Sequence, residues 1–225
     1  MTADGSRALL IGSSGGIGSA LRDALAARGT EVVGLSRRDH GLDVTDEASL
    51  AKHLGALEGS FELIFVATGA LALPGSEPEK TLKALDPEQF LQQMALNALG
   101  PALVLKHARR LLPRDRPAIF AALSARVGSI GDNRLGGWYS YRASKAALNQ
   151  MIRSASVEMA RTHRQLVCVA LHPGTVATPF TADYLGRHPA VPPEEAARNL
   201  LKVLDGLGPE HTGRFFDWAG KEVPW

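Results

Sequence analysis

Ala8-Leu9-Leu10-Ile11-Gly12-Ser13-Ser14-Gly15-Gly16-Ile17-Gly18 is the stretch that decides how this chain folds. Its four apolar residues show no polar alternation, the pattern of a strand buried on both faces. A glycine-rich turn follows, and apolar residues then recur at helical spacing across residues 17–28 until Gly29, a residue suited to the helix C-terminus. The same unit repeats outward. Residues 31–35, 63–67, 118–123 and 166–171 read as further buried strands, and 214–218 as a last one. Residues 46–57, 87–112, 139–162 and 193–204 carry the helical period, with Asp46 ahead of Ser49 and Leu50 as a cap. Strands alternating with helices predict right-handed crossovers and an α/β doubly wound parallel sheet of about seven strands, covered by helices on both faces. Only residues 36–41 separate the second strand from the short segment Leu42-Asp43-Val44, too few for a crossover helix between parallel neighbours.

The 225 residues, 45% of them hydrophobic, suffice for one large core, and neither a linker nor an internal repeat divides them, so residues 1–225 read as a single domain. A net charge of +2 made of interspersed charges, with no basic run, argues against nucleic acid as a partner. Cys168, the single cysteine, lies in an apolar run and reads as a small buried hydrophobe; no internal disulfide can form. Residues 1–7 do not resemble a signal peptide, and no apolar run approaches the roughly 20 residues that span a bilayer. The expectation is a soluble, cytoplasmic protein with no membrane partner. The seven histidines show neither two-His helical spacing nor companion cysteines, so no metal site is expected.

Residues 12–18 follow a strand and open a helix, the setting in which backbone N–H groups hold a pyrophosphate. The spacing departs from G-x-G-x-x-G, so a merely flexible turn stays open on this evidence alone. Farther along, Tyr141 and Lys145 stand four residues apart on one helical face, within reach of each other.

Taken together, the G-x-x-x-G-I-G turn, Asn97 with Gly100, Ser124 at a strand end, Tyr141-Arg142-Ala143-Ser144-Lys145 and Pro173-Gly174-Thr175-Val176-Ala177-Thr178 resemble the short-chain dehydrogenase/reductase family over almost the whole chain. Residues 122–149, with Gly136-Gly137-Trp138 before the tyrosine, resemble most its C-factor-like and sniffer-like carbonyl reductase branch. The resemblance implies a Rossmann-like fold and an oxidoreductase that interconverts a carbonyl compound and an alcohol. Tyr141 would be general acid or base, its pKa drawn down from about 10 by Lys145 together with an oxidised nicotinamide. Lys145 would also bind the nicotinamide ribose, Ser124 would polarise the carbonyl oxygen, and Asn97 would hold a water that relays protons to Lys145.

The cofactor set implied in the same way is Gly12, Ser13, Ser14, Gly16, Ile17 and Gly18 at the turn, Ser36, Arg37 and Arg38 after the second strand, and Asp43 and Val44 at the adenine. It continues with Ala67, Thr68 and Gly69 in place of the family's Asn-Ala-Gly, then Asn97, Tyr141 and Lys145, and ends with Pro173, Gly174, Val176 and Thr178 at the carboxamide. Ile11 replaces the common threonine before the first glycine. Dinucleotide choice rests on the second strand's end. An acidic residue there would bind a ribose 2′-OH, whereas Ser36-Arg37-Arg38 offers cations to a 2′-phosphate, so NADP(H) is favoured over NAD(H).

The serine admits two alignments. Counted from the strand, Ser124 is the donor and the turn at Arg126-Val127 bulges; counted back from Gly128, the family's serine position falls on Ala125, leaving Ser129 as the nearest substitute. Ser124 is preferred because a strand end fixes a donor better than a loop. Residues 178–193 form a short lid, with Trp138, Tyr139, Tyr184 and Leu185 at the mouth of an open site for a small carbonyl or alcohol. The family resemblance implies a homodimer or homotetramer built on residues 87–112 and 139–162. A dinucleotide-binding regulator on the same fold is the alternative; an epimerase or dehydratase is disfavoured, because no substrate domain follows Thr178.

Overall fold

Strands β1 (Arg7–Ile11), β2 (Glu31–Leu35), β3 (Leu63–Val66), β4 (Ala118–Leu123), β5 (Leu166–His172) and β6 (Phe215–Asp217) form one parallel sheet in the order β2-β1-β3-β4-β5-β6. The computed structural model describes residues 6–73, 75–178 and 190–225. The sheet has six strands rather than the expected seven. Leu42-Asp43-Val44 contributes none, because only the one-turn helix α2 (Arg37–His40) fits between β2 and that segment. The chain returns to β3 through α3 (Glu47–Gly55), which Asp46 caps by accepting the Ala48 N–H at 2.9 Å.

Side chains alternate across the sheet into two cores. Leu9, Ile11, Ile64, Val66, Phe120 and Ala122 point to one face, where Leu50 and Leu54 of α3, Val104 and Ala108 of α5 (Gly100–Ala108), and Leu148 and Ile152 of α6 (Tyr139–Met159) cover them. Leu10, Phe65, Ala121 and Val169 point to the other, under Leu21 of α1 (Gly16–Ala26) and Leu200 of α7 (Pro193–Asp205). Leu21, Leu148 and Leu200 are fully buried, each contributing about 1.5–3 kcal/mol relative to exposure.

Residues 87–112 do not make one continuous helix. Helix α4 (Pro87–Met94) passes into a π-helical turn at Ala95–Leu99 and then into α5. Pro101 supplies the reason: it has no N–H to give the carbonyl of Asn97 four residues earlier, so the α-helical ladder cannot run through.

From β1 the chain moves to β2 on one side, and from there back across to β3 on the other. The loops after β1 and β3 therefore open a crevice at the C-terminal ends of the strands, the place where open α/β sheets bind ligands.

Candidate active site

Glycines build the floor of the crevice for steric reasons. Gly12 adopts φ +88°, and a Cβ on it would sit 3.1 Å from the Ala67 carbonyl; a Cβ on Gly18 would lie 2.1 Å from the Gly12 oxygen. At Gly16 a Cβ would meet Thr178 Cγ2 at 2.7 Å, so that glycine lets the 173–178 segment cross the start of α1. Gly15 faces only one ordinary contact, at 3.4 Å. The N–H groups of Gly12 and Ser13 are engaged by the Leu35 carbonyl, and Ser13 is buried against Gly34. The first turn of α1, which starts at Gly16, leaves N–H groups without an intrahelical carbonyl, and Ser14 and Gly15 just before it line a cleft at this point.

A cleft of about 1160 Å³ runs from this turn past Arg37, Asp43 and Val44 to Thr68, Leu71 and Trp138. Its residues fit a dinucleotide. The buried Thr68 hydroxyl oxygen has no hydrogen-bond partner among the described residues, and Thr68 packs at the rim beside Gly12. Val44 is held by close contact with Gly100, where a Cβ would lie 3.0 Å from Val44 Cγ2; this explains the glycine three residues after Asn97. The Asp43 carboxylate accepts from the N–H and hydroxyl of Thr45, and those bonds hold it below the usual carboxylate range. Val176 is buried and bridges to Val191, which steadies the 173–178 segment beyond Pro173; Gly174, at φ +78°, packs under Trp218.

The three residues after β2 divide their tasks. Ser36 caps α2, its hydroxyl accepting the Asp39 N–H at 3.1 Å and donating to the Asp39 carboxylate at 3.0 Å. Arg38 pairs with Asp39 at 2.9 Å in solvent, while Arg37 lines the cleft. Of the two arginines, Arg37 is the one that lines the cleft.

Tyr141 and Lys145 are both buried on α6, with the Lys145 ammonium 5.9 Å from the centre of the Tyr141 ring and donating to the Leu123 carbonyl at 2.9 Å. The expected lowering of the Tyr141 pKa rests on Lys145 together with an oxidised nicotinamide; in the protein alone the balance is different. Burial pushes the Tyr141 phenol up and the Lys145 ammonium down to about 7, so loss of water outweighs their mutual influence. Gly69, at φ +151°, lies between the lysine and Asn97: a Cβ there would be 2.9 Å from Asn97 Oδ1 and 3.1 Å from Lys145 Nζ.

The fully buried Asn97 side chain pins the loop after β3, exchanging both bonds with Ala70 at 2.9 Å and donating to Gln93 Oε1 at 2.5 Å and Ser144 Oγ at 3.2 Å. Its backbone carbonyl is the one that Pro101 deprives of an α-helical donor.

Ser124 follows directly on β4, at the strand end where the sequence places it. Its N–H continues the sheet ladder to Leu171 O at 2.8 Å, its hydroxyl donates into the core to Asn149 Oδ1 at 2.6 Å, and Arg126–Gly128 closes as a single 3₁₀ turn. Ala125 is the residue of this turn that packs on Tyr141, with Leu71, Val127 and Trp138. The Ser129 hydroxyl is buried and accepts the Asp132 N–H at 3.1 Å. Trp138, at φ 52°, lies edge-on to Tyr141, with Tyr139 half-exposed beside it; Tyr184 and Leu185 fall outside the described residues.

Glu79 escapes a reading of the sequence. Its buried carboxylate accepts the Ser140 N–H at 3.3 Å and the Ser140 hydroxyl, while its carbonyl accepts the Trp138 N–H at 2.5 Å. It thus caps the helix that carries Tyr141 from a loop some sixty residues away. The available signal was negative: Gly136-Gly137-Trp138 offers α6 no capping side chain of its own. Gln93, which joins Asn97 to the Leu71 carbonyl at 3.0 Å, was visible only as a residue four before Asn97.

This chain belongs to the short-chain dehydrogenase/reductase family of oxidoreductases, whose motifs the glycine turn, the Tyr141–Lys145 pair and Asn97 resemble. The family model described as enoyl-(acyl carrier protein) reductase matches residues 11–204. The chain is 32% identical over 235 residues to 1-hydroxy-2-glutathionyl-2-methyl-3-butene dehydrogenase of Rhodococcus sp., covering 98% of this chain and 100% of that protein. It is 41% identical over 144 residues to C-signal of Myxococcus xanthus, 63% of this chain and 81% of that one. A short-chain dehydrogenase/reductase of Burkholderia multivorans with bound NADP superposes with a TM-score of 0.77 at 27% identity, covering 98% of this chain and 99% of that one. The carbonyl reductase Sniffer of D. melanogaster shares the fold, with a TM-score of 0.78 at 20% identity over 98% of this chain and 100% of its own.

Proposed function

We propose that this protein is an NADP(H)-dependent oxidoreductase that interconverts a carbonyl compound and an alcohol, with Tyr141 as general acid and base. The observation that carries the reading is the buried Tyr141–Lys145 pair behind Gly69, a residue that lines a cleft whose glycines, orphaned Thr68 hydroxyl and Arg37 suit a phosphorylated dinucleotide. That cofactor, when bound, would supply the hydride to the carbonyl carbon. Gly16, Ile17 and Gly18 would hold the pyrophosphate, Arg37 the 2′-phosphate, Asp43 and Val44 the adenine, and Val176 and Thr178 the carboxamide. Tyr141 gives its proton to the carbonyl oxygen as charge gathers there. Lys145, near neutrality in its proton affinity, passes one on, and the Asn97 carbonyl is the acceptor for a water linking it to solvent.

NADPH oxidation followed at 340 nm with a panel of ketones, aldehydes and diketones tests this. Turnover in the parent protein, with a loss of about 10²–10⁴ in kcat/KM and unchanged NADPH affinity in Tyr141→Phe, is the expected result. Near-normal turnover in the variant removes Tyr141 from the acid role.

The similarity to C-signal favours one second reading, a dinucleotide-binding regulator, in which Tyr141→Phe would leave the biological output intact. The exposed Leu91, Leu99, Met151 and Val157 on α4, the π turn and α6 support a homodimer or homotetramer through these helices. No described helix is long and apolar enough to cross a membrane, and a cytoplasmic setting suits a dinucleotide-dependent reaction.

A further inference from the structure

Ser124 and Ala125 leave the end of β4 in different directions, as successive residues of extended chain do. The Ser124 hydroxyl is committed to Asn149 in the core, whereas Ala125, extended at φ −143° and ψ 144°, is buried in one small apolar cluster with Leu71 and Tyr141. The next residues hold this arrangement in place. The turn Arg126–Gly128 closes at once, with Gly128 N–H on the Ala125 carbonyl at 2.8 Å, and a Cβ on Gly128 would come within 2.8 Å of Lys145 Cβ. Exchanging the two residues would require a one-residue slip of β4, which would turn every side chain of that strand to the opposite core.

We propose that Ala125 is a specificity-determining residue: its methyl stands beside the Tyr141 phenol where a hydroxyl from the β4 end would meet the substrate oxygen, and it restricts the site to electron-poor carbonyls. The inference rests on the carbonyl–alcohol reading above. Reduction places negative charge on the carbonyl oxygen, and a single well-placed donor at such an oxygen is worth on the order of 10²–10³ in turnover. Where the turn after β4 contributes a methyl instead, electron-withdrawing groups on the substrate must disperse that charge.

The test compares the parent protein, Ala125→Ser and Ser124→Ala, all with NADPH, on para-substituted acetophenones and 2,2,2-trifluoroacetophenone. In the parent, log kcat/KM should rise steeply with electron withdrawal. Ala125→Ser should flatten the slope and raise turnover of unsubstituted acetophenone by roughly tenfold or more. Ser124→Ala should lower the melting temperature and leave the slope as it was, since its hydroxyl serves Asn149.

A second readout needs no turnover. Titration of tyrosine absorbance at 295 nm, with Tyr141→Phe identifying the buried component, should show the Tyr141 phenol ionising at lower pH in Ala125→Ser, where a new hydroxyl can donate to the phenolate. A flat slope in the parent, or an Ala125→Ser protein unchanged in both slope and titration, overturns the proposal while leaving the carbonyl reading intact. A slope that steepens in Ser124→Ala overturns it as well, by returning the donor role to Ser124. A parent that reduces none of these ketones, nor the wider panel, removes the carbonyl reading instead, and the titration then decides alone whether position 125 faces the phenol.

Discussion

Lys145→Met should change how stability depends on pH in a way that an ordinary surface lysine would not. The ammonium is buried, and desolvation lowers its pKa from 10.5 to about 7. In the unfolded chain the amine keeps its proton until about pH 10.4. Between these values the unfolded state binds more protons than the native one, so stability rises with pH across the window. At pH 7 half of the native molecules carry the buried charge; by pH 9 nearly all have released it. Integrating the two titrations gives a gain of about 2 kcal/mol from pH 7 to pH 9.

Other buried groups leave the comparison clear. His172 and His163, both lowered by burial, act below pH 6.5, and Cys168, raised from 9.0 to about 12, begins to lower stability from about pH 8 but does so in both proteins and cancels in their difference. Tyr141, also raised, opposes the gain only above pH 10. Urea unfolding of both proteins at half-unit steps from pH 6.5 to 9.5 measures the effect. The stability of the parent should climb relative to Lys145→Met by about 2 kcal/mol between pH 7 and pH 9. Parallel curves would mean that the amine keeps an ordinary pKa in the fold, and the electrostatic account of the site would have to be withdrawn.

Gly18→Ala forces a Cβ to 2.1 Å from the Gly12 oxygen and should unfold the turn or lower the melting temperature sharply, while Gly15→Ala, with only a 3.4 Å contact, should fold normally; equal melting temperatures would contradict the cradle geometry. Glu79→Ala removes the carboxylate that caps α6, and should cost about 1–2 kcal/mol and speed hydrogen exchange at Ser140 and Tyr141. Exchange unchanged in that first turn would show that the helix start holds itself. Arg37→Asp should weaken NADPH and strengthen NADH binding in a fluorescence titration, with Arg38→Asp changing little because Arg38 is held by Asp39; the opposite ranking would move the phosphate site to Arg38.

The sequence by itself determined the succession of strands and helices and the parallel sheet, and it put Tyr141 and Lys145 on one helical face. These features are periodic or local. Continuous apolar runs mark strands buried on both faces, Asp46 caps the helix that follows it, and Tyr141 and Lys145 share a face because a helix turns once in 3.6 residues. Tertiary structure alone decided the rest. The direction of the Ser124 hydroxyl depends on Asn149, twenty-five residues away, while the next residue, Ala125, joins Tyr141 and Leu71 in an apolar cluster. Glu79 acquires its role only when the loop after β3 reaches the start of α6. The proton affinities of Tyr141 and Lys145 follow from how much water the fold removes, which no spacing of residues encodes. Local pattern fixes where a backbone runs, whereas the partner of a buried polar group is set by whatever distant segment packs beside it.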